Sequence, residues 1–251
     1  MSENKLASDF FDASISLLQR VRDTESAQIT AAGALIADTV ADGGRVFAYG
    51  AGHSALPAQD VVYRAGGLAV INLLVVPGVV GVATRPATLS SALEHVGGLA
   101  ATVLDASRAE SGDLLIVISL SGRNTLPVEM AMHARSRGLR VIGLTSVAYT
   151  RSTASRHSSG TFLKDHCDIV LDNHIAVGDS ELTAPGIPAP FAPASTVVTS
   201  ALLQAVVATA AGGLAERGIA PPLLRSANVE GGLDWNDRVM AEYADRIFYR
   251  D

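Results

Sequence analysis

"DLLIVISLSGRN", residues 113–124, passes from an apolar run to a loop of hydroxyls, a glycine and an amide with no transition between them. The run does not alternate, which is the pattern of a strand covered on both faces, as in a parallel sheet. Four other stretches share it: "RVFAYG" (45–50), "LAVINLL" (68–74), "RVIGLTS" (140–146) and "CDIVLDN" (167–173). Helical spacings fill the gaps between them, so the connections are right-handed crossovers. The expectation is an α/β, doubly wound, flavodoxin-like fold with a five-stranded, mainly parallel sheet.

Outside that core, about 45–175, residues 9–22 place Phe10, Phe11, Ile15, Leu17, Leu18 and Val21 at helical spacing, and 26–40 do the same with Ile29, Leu35, Ile36 and Val40. Two N-terminal helices (within 9–42) are therefore predicted. A long helix over 195–217 and a last one over 236–248 follow the sheet, the latter with Asp234 as its N-cap. No period of 20–50 residues recurs and no Gly/Ser linker interrupts the chain, so one domain, 1–251, is expected.

With 251 residues, 48% of them hydrophobic, the chain can bury a large core. Its net charge of −6 argues against nucleic-acid partners, which require a basic face. Two apolar stretches, 66–83 and 197–214, approach membrane-span length, but Asn72, Pro77, Gln204 and several glycines interrupt them, which favours buried core. The opening "MSENKLASDFFD" lacks a basic start and an unbroken apolar run, which points to the cytoplasm. The single cysteine, Cys167, can form no internal disulfide and no thiolate-rich metal site.

Ligands of such sheets bind beyond the carboxyl ends of the strands. Two loops stand there. "YGAGHSALPAQD" has a glycine turn before a helix, superficially a dinucleotide fingerprint through Gly50, Gly52 and Ala55, but no acidic residue ends the next strand, so nicotinamide cofactors are set aside. "SLSGRN" surrounds Gly122 with Ser119, Ser121 and Asn124 where a helix begins, with Pro127 in its first turn. Hydroxyls, helix-terminal N–H groups and the charge of Arg123 make an anion site there, and phosphate is its natural guest. An N-capping turn alone needs one Ser or Asn, not three polar groups.

"GAGHS" after one strand, "SLSGRN" after a later one and then "VIGLTS" resemble the sugar isomerase (SIS) domain family over about 46–173. The resemblance implies that Ser54, Ser119, Ser121 and Asn124 contact a sugar phosphate, with Gly52, Gly122 and Arg123 beside it. It also implies a homo-oligomer, a dimer or a dimer of dimers. "SRHSSG", "LDNH" and "SANVEGGLDWN" look like a bacterial single-domain branch that includes N-acetylglucosamine 6-phosphate dehydratase activity, more distantly like the muramic acid phosphate etherases. Arg64 stands where the family's heptose phosphate isomerases carry a zinc-binding glutamate, so no metal is expected.

In an open-chain aldose 6-phosphate the C1 carbonyl acidifies the C2 proton, and one carboxylate can remove it if the enolate is stabilised. Return of the proton to C1 isomerises the sugar; loss of the C3 group eliminates it. N-acetylation at C2 removes the hydroxyl that aldose–ketose isomerisation needs, so elimination of water is expected, with isomerisation and non-catalytic phosphosugar sensing as alternatives. Glu94 lies between the two loops, the region where the muramic acid phosphate etherases carry catalytic glutamates, and that resemblance makes it the expected base, although Ser91-x-x-Glu94 also has the spacing of a capping box. His53, inside the first turn, is the expected acid.

Glu181 and His157 are the reserve candidates; each also reads as a solvated loop residue. His95, His133, His166 and His174 lack metal-pair spacing. Asp60 and Arg64, one helical turn apart, read as an ion pair. Asn228, Asp234 and Asn236 in the tail surround a glycine pair and the only tryptophan, where they could close over a neighbouring subunit's site.

Overall fold

A computed structural model describes residues 5–250. The expected domain, 1–251, extends beyond these described residues at either end. Five strands, β1 (Val46–Gly50), β2 (Ile71–Leu73), β3 (Leu114–Ile118), β4 (Arg140–Thr145) and β5 (Ile169–Asp172), pair in the order β2-β1-β3-β4-β5. Every pairing is parallel, where a mainly parallel sheet was expected. The order reverses between β1 and β3, and crevices at such reversals are where doubly wound sheets bind ligands.

The strand residues alternate between two cores. Val46, Ala48, Leu114, Ile116 and Ile118 face a layer built from α1 (Lys5–Thr24), α2 (Ser26–Ala41) and α8 (Ser195–Glu216). Phe47, Tyr49, Leu115 and Val117 face α5 (Leu99–Ala106) and α6 (Thr125–Ser136). Burial of a large aliphatic side chain contributes roughly 1.5–3 kcal/mol, so these rows dominate the stability. Within α8, Val198, Leu202, Leu203, Val206, Val207, Ala210 and Leu214 are buried in the first core, which accounts for its membrane-like apolarity.

Two expected elements are corrected. The run 68–74 yields only the three residues of β2, because Leu68 pairs antiparallel with Leu223, and the Ala69 N–H donates to Pro222 O at 2.7 Å. The last helix, α9, covers Gly232–Glu242 rather than 236–248. Gly231, in the left-handed region at φ 69°, is its N-cap, which leaves Asp234 inside the first turn. There its charge suits the helix dipole without capping it. Beyond α9, Phe248 stacks on Phe47 at 6.1 Å, and the buried Asn72 of β2 holds this tail at two points. Its Nδ2 donates to Arg246 O and its Oδ1 accepts from Phe248 N, both at 2.8 Å.

Candidate active site

A cavity of about 480 Å³ opens at the carboxyl ends of β1 and β3. Its first wall is the turn that begins at Gly50. A Cβ on Gly50 would collide with the Ser54 carbonyl, so only glycine lets the chain fold back into the short 3-10 turn Gly52–Ser54 and α3 (Ala55–Asp60). The turn puts Gly52, His53 and Ser54 on the cavity wall, with His53 exposed. Behind it Arg64 pairs with Asp60, whose other oxygen accepts from Gln204 Nε2 at 3.0 Å.

The second wall is the loop after β3. Ser119, 6% exposed, accepts the Gly122 N–H on Oγ at 3.3 Å. Gly122 has φ 57°, and a Cβ there would stand 2.8 Å from Thr145 Oγ1, so no other residue fits. The loop's carbonyls are tied from outside: Leu163 N donates to Gly122 O and Arg156 N to Arg123 O, each at 2.8 Å. Ser119 and Ser121 line the cavity, whereas Gly122, Arg123 and Asn124 do not.

Glu94 enters between these walls. It is the C-cap of α4 (Ala87–Leu93), so Ser91-x-x-Glu94 ends a helix and the capping-box reading is corrected. The Glu94 carbonyl accepts the Leu126 N–H at 3.0 Å, which fastens α4 to the first turn of α6. Its carboxylate lies beside Gly52 on the cavity wall. Near it the Tyr49 hydroxyl is buried with no hydrogen-bond partner among the described residues; burial, and then the charge of Glu94, push this phenol above its ordinary range.

The far wall was not anticipated. Tyr149 from α7 (Ala148–Ser152), Asn173, Asp179, Ser195, Thr196 and Thr199 supply it. Asn173 directly follows β5 and donates to Thr199 Oγ1 at 3.1 Å; its place after a strand was the available signal. Asp179, at φ 51°, caps α8 by accepting Ser195 N at 3.0 Å and Ser195 Oγ at 2.7 Å. No pattern in the sequence marks that contact.

Glu94, His53, Gly52, Ser54, Ser119 and Ser121 thus share one cavity. Glu181 and His157 do not line it. Glu181 Oε1 is buried without a partner among the described residues, and burial, then Asp179, raise its carboxyl above the ordinary value. His157 borders a separate groove beside α6, its side chain only 9% exposed and 3.9 Å from Glu129 Oε1, so its reading as a solvated residue is corrected. Asn228 is exposed, and Asn236 accepts from Arg225 N at 2.7 Å.

Residues 9–146 match a protein-family model described as the SIS domain. A UPF0309 protein of Streptomyces avermitilis is 73% identical over 250 residues, covering 100% of both chains. Among solved structures, a phosphoheptose isomerase from Neisseria gonorrhoeae superposes with a TM-score of 0.52 at 18% identity, over 85% of this chain and 98% of its own. The Vibrio vulnificus NanR protein complexed with ManNAc-6P gives 0.53 at 16% identity, over 98% of this chain and 71% of its own. At these identities the two structures are likenesses of fold.

Proposed function

The chain belongs to the SIS domain family, and from that premise we propose that its cavity binds a hexosamine 6-phosphate and eliminates water from it, N-acetylglucosamine 6-phosphate being the expected substrate. One observation carries the reading: a carboxylate, an imidazole and a serine-rich loop at a helix start converge on one cavity of about 480 Å³. Apart from His53, the charged side chains of the lining are acidic, Glu94 and Asp179, so the phosphate is held by the Ser119, Ser121 and Ser54 hydroxyls.

With the phosphate there, the sugar reaches toward Glu94. Glu94 takes the C2 proton of the open-chain aldehyde, and the electron pair left on C2 delocalises into the C1 carbonyl. As the enolate collapses, the C2–C3 double bond forms and the C3–O bond breaks. His53 in its protonated form delivers a proton to the departing hydroxyl, which leaves as water. The product is an unsaturated aldehyde bearing the N-acetyl group. The ManNAc-6P held by the Vibrio vulnificus protein supports the substrate class.

Isomerisation is the second reading, favoured by the likeness to the phosphoheptose isomerase, although Arg64 is tied to Asp60 on α3. The deciding experiment is incubation of the protein with N-acetylglucosamine 6-phosphate, followed by mass and ultraviolet absorbance. Loss of one water with a new conjugated chromophore supports elimination. An unchanged mass overturns it, and incubation with an aldose 6-phosphate that keeps its C2 hydroxyl then tests for the ketose isomer.

A further inference from the structure

Glu94 is one end of a hydrogen-bonded chain that leaves the cavity. Asn124 Nδ2 donates to Glu94 Oε2 at 2.7 Å, Arg156 Nη1 donates to Asn124 Oδ1 at 3.1 Å, and the same guanidinium nitrogen lies 3.4 Å from His95 Nε2. The orientation of the Asn124 amide follows from its two neighbours. A guanidinium only donates and an ionised carboxylate only accepts, so the amide oxygen must face Arg156 and the amide nitrogen Glu94.

We infer that Asn124 is a positioning residue, which holds the Glu94 carboxylate against the substrate and is itself oriented by Arg156. This rests on the reading of Glu94 as the base. It removes Asn124 from the phosphate ligands that the loop motif implies, in keeping with its absence from the cavity lining. The backbone is braced for the task at three points. Arg156 N donates to Arg123 O at 2.8 Å, Thr125 Oγ1 donates to Arg156 O at 3.4 Å, and Leu126 N donates to Glu94 O at 3.0 Å. The carboxylate, the amide and the guanidinium therefore come from three segments pinned to one another. Only the second oxygen of Glu94, the one beside Gly52, is left toward the substrate.

The test separates positioning from phosphate binding by kinetics on N-acetylglucosamine 6-phosphate. For Asn124→Ala, kcat should fall ~10- to 100-fold, as for a misplaced catalytic group, with KM little changed; Ser119→Ala should do the reverse. Arg156→Ala should lower kcat in the wild-type background and add nothing in Asn124→Ala, because it acts through the amide. Asn124→Asp keeps the shape but puts a second carboxylate against Glu94; it guards against misfolding of the alanine variant and should lose at least as much kcat. A raised KM with unchanged kcat in Asn124→Ala, or effects of the two alanine variants that multiply, overturns the inference.

If the wild type does not turn over N-acetylglucosamine 6-phosphate, the elimination reading falls, and the side-chain N–H signals of Asn124 decide the chain by nuclear magnetic resonance. Both Glu94→Gln and Arg156→Ala should displace those signals. Signals that stay in place overturn the contact itself.

Discussion

Gly52 and Glu94 lie in direct register: a Cβ built on Gly52 would stand 3.2 Å from Glu94 Oε1. The turn and the carboxylate were selected from distant parts of the chain, yet each limits the other. Gly52 also has φ 57°, where a side chain is strained. Gly52→Ala should displace the carboxylate and lower kcat by ~10- to 100-fold, at a stability cost of about 1 kcal/mol. Turnover and thermal unfolding measured together check this; full activity in Gly52→Ala would show that the carboxylate tolerates displacement.

Glu94→Gln preserves shape and removes the base. Turnover should fall by ~10²–10⁴, while calorimetric binding of N-acetylglucosamine 6-phosphate persists. Turnover close to wild type would move the base elsewhere in the cavity, to Asp179 first.

Ser119→Ala addresses the phosphate. The Ser119 hydroxyl is buried at the loop and accepts the Gly122 N–H, leaving its own proton for the ligand. Loss of one such hydrogen bond costs about 1 kcal/mol, so the Kd for the phosphosugar should rise several-fold. An equal loss of affinity for the unphosphorylated sugar would locate the contact away from the phosphate.

Glu181 gives a pH signature. Its carboxyl is raised above 4.5 by burial and then by Asp179. A carboxyl whose folded-state pKa exceeds its unfolded value contributes stability in full below the unfolded value and loses it as pH rises through the folded value. At neutral pH the ionised form, with Oε1 buried and unpartnered among the described residues, is therefore a liability. Glu181→Gln should raise Tm at pH 7, and the gain should shrink as the pH falls toward 4. A lower Tm at pH 7 would mean that the ionised oxygen is satisfied.

What was legible in the sequence was what local pattern controls. Leu114–Ile118 and Arg140–Thr145 announce themselves because both faces of each are buried, and Gly50 and Gly122 because their turns admit no side chain. What was not legible depends on partners far along the chain. Leu68 carries the same apolar pattern as Ile71 but pairs with Leu223. Ile247 continues the helical spacing of Val239 and Tyr243 and is buried, yet α9 stops at Glu242. The spacing of Ser91 and Glu94 is that of a helix start at what proves to be a helix end. Asn124 sits within its motif as expected, while its side chain answers to Glu94, 30 residues earlier. Asp179 reaches the cavity through a backbone conformation that no apolar pattern records.

The contacts of Asn72 have a consequence for the protein in a crowded solution. β2 is an outermost strand, and an open strand invites a foreign chain to extend the sheet. The amide of Asn72 gives that invitation to the protein's own tail, through Arg246 and Phe248. At the opposite rim the Asp172 N–H of β5 is taken by Glu25 Oε2 at 3.1 Å. Two buried polar side chains thus turn both margins of the sheet inward, so resistance to aggregation rests on them as well as on the core.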